Sequence, residues 1–325
     1  YSTDAEVLEK LYDQHPIIEK ILRYRQIVKL KSTYIDGLVN LINKKTSRIH
    51  SCFNQTVATT GRISSTDPNL QNIPIRTEDG RMIRKAFIAE TPEFKLLDGD
   101  YSQIELRVLA HISEDPKMIE AFTNGEDIHR KTASEVFNVP KEEVTAELRY
   151  KAKAVNFGIV YGISDYGLSR DLNITRKEAK EYIEKYFENF NLVRKYMDDI
   201  VSLGKKNGYV ETVLKRRRYI PELNAKNFNV RSFGERIAMN TPIQGSAADI
   251  IKIAMVRVYN ELKNNDYKSR LILTVHDELI IEVHKDEIDE VTSLVKNIME
   301  NCVSLIIPLK VDFKIGDSWY ETMWL

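Results

Sequence analysis

Cysteine is nearly absent: Cys52 and Cys302 are the two in 325 residues, so neither a disulfide framework nor a four-cysteine zinc site can be built. Net charge is absent too, because 48 Lys and Arg balance 48 Asp and Glu. Bulk electrostatics therefore nominates no partner, and a nucleic-acid site has to come from local clustering. Long apolar runs are missing. The longest are about five residues, against the roughly 20 of a spanning helix, so no membrane partner is expected. No signal-peptide pattern opens the chain, and no internal repeat or low-complexity segment interrupts it. The expectation is a soluble, intracellular protein.

What is present points to folded cores. Apolar residues make up 42% and charged residues 30%. A chain of 325 residues exceeds one average domain and suits two or three compact units. It begins with Tyr rather than Met, as expected of a piece of a longer polypeptide. Residues 5–45 read as helix, a loop at His15-Pro16, then a long amphipathic helix. Its stripe is Ile18, Ile21, Leu22, Ile27, Leu30, Tyr34 and Leu38. Residues 59–74 are polar, with Gly61, Pro68 and Pro74, which predicts an ordered loop or short strands. A buried strand at 94–100 leads into a helix at 103–113. Residues 115–200 read as mostly helical, broken at Asn124-Gly125, Pro140 and Gly162–Gly167. Short strands follow at 209–213 and 215–219. A helix at 232–240 is expected to be interrupted by Pro242, with another from Ser246 to about Leu262. Strands 270–275 and 279–283, separated by His276-Asp277-Glu278, read as a tight hairpin. A helix at 286–302 and a strand at 309–315 follow. The pattern predicts an α+β fold, an antiparallel domain interrupted by a helical one.

Charge is segregated. Lys205 to Arg218 carries net +5 and Asp277 to Glu290 net −6. A solvated face explains either run alone, yet together they suit phosphates in one place and cations in another.

Four constellations carry chemistry. Asp100 opens the segment Asp100-Tyr101-Ser102-Gln103-Ile104-Glu105-Leu106-Arg107, where an apolar strand gives way to a helix. A carboxylate there needs a cap to make or a cation to bind. Asp277 and Glu278 sit at the tip of an apolar hairpin, either as ordinary turn residues or as a cation site. Two carboxylates from separate strand ends plus a backbone carbonyl suit hard, octahedral Mg²⁺. Arg149, Lys153, Phe157 and Tyr161 recur every fourth residue, so they share one helix face. Arg149 to Phe157 spans about 12 Å, close to the length of a nucleoside triphosphate. An amphipathic, solubilising helix is the alternative, but Gly158 and Gly162 would weaken it. Finally, Thr60-Gly61-Arg62 and the polar run with Asn69, Gln71 and Asn72 suit contacts to phosphates and groove acceptors.

Thr60-Gly61-Arg62 through Arg76, the Asp100 segment, Arg149 to Gly162, and His276-Asp277-Glu278 occur in that order. From about Leu30 onward the chain resembles the C-terminal polymerase region of family A DNA polymerases, the bacterial DNA polymerase I type. The resemblance implies a right-hand architecture. The palm would comprise 46–120 and 231–325, and the helical fingers 121–230. Residues 1–45 would be the thumb base and junction, with the thumb largely absent. The implied activity is template-directed addition of deoxynucleoside triphosphates to a primer 3′-hydroxyl by two-metal-ion nucleotidyl transfer, releasing pyrophosphate. No proofreading carboxylate set is found.

By the same resemblance, Asp100, Asp277 and the Tyr101 carbonyl would hold two Mg²⁺ ions, with Mn²⁺ as a substitute, and Glu278 would support them. Arg149, Lys153, His129 and Gln103 would contact the nucleotide, Lys153 also as proton donor to pyrophosphate. Phe157 would pack beside the sugar, Tyr161 beside the nascent base pair, and Glu105 against the sugar 2′ position. The alternative for Glu105 is a surface ion pair with Arg107 or Arg130. Arg62, Arg236, Asn240, Gln244 and His276 would contact primer-template DNA. The missing thumb and exonuclease-like segment would precede this chain in a longer polypeptide. The location would be bacterial cytoplasm at the nucleoid, or an organelle. A single-subunit RNA polymerase is a competing enzyme, against which Glu105 and Phe157 argue. A catalytically silent DNA-binding module is the alternative from another class; the intact aspartates and Lys153 speak against it.

Overall fold

A computed structural model describes residues 2–75 and 77–325. Strand Phe94–Tyr101 is the centre of a five-stranded antiparallel sheet. The hairpin of Arg270–Val275 and Glu278–His284 lies on one side of it. Val311–Gly316 and the short Met323–Trp324 lie on the other. Side chains alternate between the two faces. Leu97 and Tyr101 join Leu279, Ile281 and Phe313 in the main core, which helix Ile288–Asn301 closes with Val291, Val295 and Met299. Gly99 has no side chain because a Cβ there would come within 2.8 Å of the Phe313 ring.

The opposite face is divided. At one end Leu96 and Ile280 pack with Leu70, Ile73 and Trp319 in a second apolar cluster. Toward the hairpin tip the same face carries Asp98, Asp100, Glu278 and Asp312, which register brings side by side.

Helices Pro116–Thr123, Ile128–Phe137, Ala146–Val160, Asp165–Leu172, Arg176–Asn189 and Asn191–Asn207 occupy the middle of the chain. Asp115, Asp127, Thr145, Ser164 and Thr175 accept backbone N–H bonds at the starts of the first five, which is why the helices begin there. Gly167 is not a break: it lies inside Asp165–Leu172, and its N–H bonds to the Ser164 hydroxyl. The basic stretch forms a small ribbon of Tyr209–Glu211 and Arg217–Tyr219.

Pro242 does not interrupt its helix. One helix runs from Phe228 to Asn264, 37 residues, with the proline inside. An interior proline costs about 3 kcal/mol in an isolated helix. Here the Thr241 hydroxyl donates to the Ile237 carbonyl at 2.7 Å and the Ser246 hydroxyl to the Pro242 carbonyl at 2.5 Å. Ala238 before the proline and Ile243, Ala247 and Ile250 after it are buried in cores, so packing holds both halves. Near the start of the chain, Ile18, Leu30 and Leu38 are buried as the stripe requires, but Ile27 faces solvent. Glu278 belongs to the hairpin strand rather than the turn, which His276 and Asp277 make alone.

Candidate active site

Asp100 is the penultimate residue of the central strand, paired with Glu278 on one side and Asp312 on the other. The Tyr101 amide donates to the Asp277 carbonyl at 3.2 Å, which pins the hairpin tip to the strand end. Two aspartates from opposite halves of the chain are thereby neighbours. Asp100 does not cap the following helix, because Gln103 occupies that position at φ 55°.

This corner holds more negative charge than it neutralises. Burial, then repulsion from Asp98 and Asp277, pushes Asp100 up to about 7. Burial likewise raises Asp98 and Asp277. Burial and the charges of Asp98 and Asp100 raise Glu278. Oδ1 of Asp98 and Oε2 of Glu278 have no hydrogen-bond partner among the described residues. Lys314 and Arg84, whose guanidinium stacks 4.0 Å over the Trp319 ring, offset part of the charge. Oxygen donors with unused lone pairs and mutual repulsion fit a hard divalent cation. Among the described residues no three His, Cys, Asp or Glu side chains close on one point, so such a cation would complete its shell with other oxygens.

Glu105 is the second residue of the helix Ile104–Ser113 that follows the strand and is 4% exposed. Arg62 bonds it at 2.6 Å and the Tyr161 hydroxyl donates to it at 3.4 Å. It makes no ion pair with Arg107, whose guanidinium bonds the Ser102 and Pro308 carbonyls, and Arg130 bonds the Lys141 carbonyl. Burial raises Glu105 while Arg62 opposes. Arg62, Gln71, His276 and Asp277 line one small cleft beside it.

A second cluster follows the helix Ala146–Val160. Lys153 is exposed, with its ammonium 5.9 Å from the Phe157 ring centre. His129 packs 5.8 Å from the same ring, and its Nδ1 accepts from the Asn156 side-chain amide at 3.1 Å. Burial, with Arg149 and Lys153 nearby, depresses the imidazole to about 4, so it is neutral. Arg149 is not free: its Nε donates to Asp127 at 2.6 Å. Tyr161 ends this helix and joins the two clusters through Glu105.

The other expected contacts are spread along the long helix and the first loop. Asn240 donates to the Val160 carbonyl at 3.1 Å, and Arg236 packs against Gly162, which has φ +64°. Gln244 lies near the Tyr161 hydroxyl. Gln71 donates to the Thr274 carbonyl at 3.1 Å. The Asn69 side chain caps its own turn, and the Asn72 carbonyl accepts from Tyr34 at 2.6 Å. Arg76 lies outside the described residues. Sequence reasoning did not single out Asp98, although its two-residue spacing from Asp100 on a strand puts both on one face. Arg84 and Asp127 reach their partners through tertiary packing and had no local signal.

The family model described as DNA polymerase family A matches residues 1–321. DNA polymerase I of Geobacillus stearothermophilus is 58% identical over 99% of this chain, and DNA polymerase I of Bacillus subtilis is 60% identical over 99%. This chain spans 37% and 36% of those relatives' length. A solved structure described as the POL domain of Pol1 from M. smegmatis, in complex with DNA primer-template and dNTP, superposes with a TM-score of 0.94 at 50% identity. The match covers 98% of this chain and 56% of that one.

Proposed function

Because the chain belongs to DNA polymerase family A, whose members are metal-dependent, we propose that it is the template-directed DNA-polymerising portion of a longer polypeptide. The substrates are a primer-template duplex and deoxynucleoside triphosphates. The observation that carries this reading is the pinning of Asp277 to the strand end that bears Asp100. On this reading residues 46–120 and 231–325 form the palm, 121–230 the fingers, and 1–45 the base of a thumb that lies mainly upstream.

Two divalent cations, Mg²⁺ by preference, bound by Asp100, Asp277 and the Tyr101 carbonyl, would acidify the primer hydroxyl and neutralise phosphate charge. Glu278, Asp98 and Asp312 set the negative field behind those ligands. Lys153, exposed on its helix, meets the triphosphate and holds a proton for the departing pyrophosphate. Arg149 exchanges Asp127 for phosphate when nucleotide arrives. Neutral His129 offers a hydrogen bond without adding charge. Phe157 walls the sugar, and Glu105, fixed by Arg62 and Tyr161, fills the space a ribose 2′-hydroxyl needs. Arg62, Arg236, Asn240, Gln244 and His276 contact the duplex near the primer end. Gln103, Gln71, Asn69 and Asn72 support these surfaces. Bacterial cytoplasm is the corresponding location.

The test is extension of a labelled primer on a defined template. The expected result is Mg²⁺-dependent, template-ordered incorporation of deoxynucleotides that EDTA stops. Retention of the duplex without extension would instead favour a silent DNA-binding module.

A further inference from the structure

Arg62 reaches Glu105 from a loop, and that loop is braced from outside the site. Gly61 has φ +82°, and a Cβ on it would lie 2.9 Å from Nε and 3.1 Å from Cδ of Arg216. The Arg216 side chain therefore lies flat against the bare Cα that immediately precedes Arg62. Its guanidinium is itself fixed. Nε and Nη2 approach Oδ1 of Asp249 at 2.7 and 2.5 Å, and Asp249 is 5% exposed. The Thr212 hydroxyl donates to Oδ2 of Asp249 at 2.9 Å and accepts from the Arg216 amide at 3.0 Å. Gly245, one turn before Asp249 on the long helix, closes the join. A Cβ there would meet Thr212 at 2.6 Å and the Thr60 carbonyl at 3.3 Å. Ribbon, helix and loop are thus interlocked at two glycines, and the residue after Gly61, Arg62, is the one that holds Glu105.

We propose that Arg216 is a positioning residue for sugar selection: anchored on Asp249, it fixes the backbone from which Arg62 restrains Glu105. This rests on Glu105 being the group that excludes the ribose 2′-hydroxyl. Arginine suits the task because its planar guanidinium can bond a carboxylate and present a flat side to the glycine together. A lysine offers the charge but no plane.

The experiment uses the longest polypeptide that contains this chain. The readout is kcat/KM for a deoxynucleotide over that for the matching ribonucleotide. The same ratio is measured as equilibrium binding to a dideoxy-terminated primer-template, which needs no chemistry. Arg216→Ala alone would strand a buried carboxylate, so the main variant is Arg216→Met with Asp249→Leu, which removes both charges together. Arg216→Lys is the milder companion, and Glu105→Ala runs in parallel. The double variant is expected to lower the discrimination ratio several-fold, Arg216→Lys less, and Glu105→Ala most. Adding the double change to Glu105→Ala should lower it no further, because the brace acts through Glu105. A ratio unchanged in both the double variant and Arg216→Lys, while Glu105→Ala lowers it, overturns the proposal. So does an equal fall in the Glu105→Ala background. An unchanged ratio in Glu105→Ala removes the gate itself and with it the premise.

Discussion

One face of the sheet holds two sets of carboxylates, and they are treated in opposite ways. Glu282 is fully buried, yet each oxygen is used: Arg48 bonds both at 2.8 Å, Arg270 bonds Oε2 at 2.8 Å, and the Glu90 amide donates at 2.6 Å. Four residues further back along the same strand, Glu278 keeps an oxygen with no partner among the described residues, beside Asp98 in the same condition. Both ends pay the cost of removing charge from water. Only one end recovers it within the protein. A saturated carboxylate is a structural joint; an unsaturated group of them is a concentration of acceptor oxygens suited to a cation.

Substitutions can separate the two ends. The largest expected effect is on catalysis at the unsaturated end. Asp277→Asn and Asp100→Asn should each lower primer extension by about a thousandfold or more, with primer-template affinity within about twofold of the parent, since on the proposed reading each change removes a cation ligand and no core volume. Near-parental extension by either, measured with Mg²⁺, would dissolve the contrast.

Glu282→Gln should do the reverse. Breaking one side of a buried ion pair costs about 3–5 kcal/mol, and the half-exposed Arg270 puts this case at the lower end. Urea titration should show that loss while extension per folded molecule stays near parental. Lys153→Ala should then raise the nucleotide KM and lower kcat together, each by about tenfold, because on the proposed reading its cation acts on bound nucleotide and on departing pyrophosphate. Steady-state kinetics over a range of nucleotide concentration separates the two.

The smallest effect concerns pH. His129 is depressed to about 4 in the folded chain, below its ordinary 6.5. The unfolded chain therefore binds more protons between those values, so His129 contributes instability as pH falls from about 6.5 toward 4. His129→Gln should flatten that acid limb in thermal unfolding followed from pH 7 to 4.5. An unaltered slope would mean the imidazole is not held neutral.

The unsaturated end was largely legible in the sequence. Asp100 near the end of a short apolar strand reads as a cap or a cation ligand, and Asp277 between two others as a turn residue or a cation ligand, whereas Asp98 was not singled out. The saturated end was not. Arg48, Glu90, Arg270 and Glu282 belong to separate segments, and only folding reveals that they balance. Pro242 shows the same limit in a different form: the local rule says break, and burial on both sides of the proline overrules it. The brace of Arg216 on Gly61 was hidden for a further reason. A glycine in a polar loop reads as a turn, and nothing local says that an arginine from the other half of the chain occupies its missing side chain.

The unbroken helix has a metric consequence. At 1.5 Å per residue its 37 residues form a rod of about 55 Å. Arg236, Asn240 and Gln244 stand on it as graduations, the outer two about 12 Å apart. On the proposed reading, a duplex strand running along the helix advances 3.4 Å per nucleotide, so this interval would span between three and four nucleotides. Were the helix to stop at Pro242, the mark on the far side would drift against the other two. On the proposed reading, the continuity of the rod is what makes the gauge rigid. Inserting one residue between Asn240 and Gln244 would turn the last mark by about 100° and lose the count.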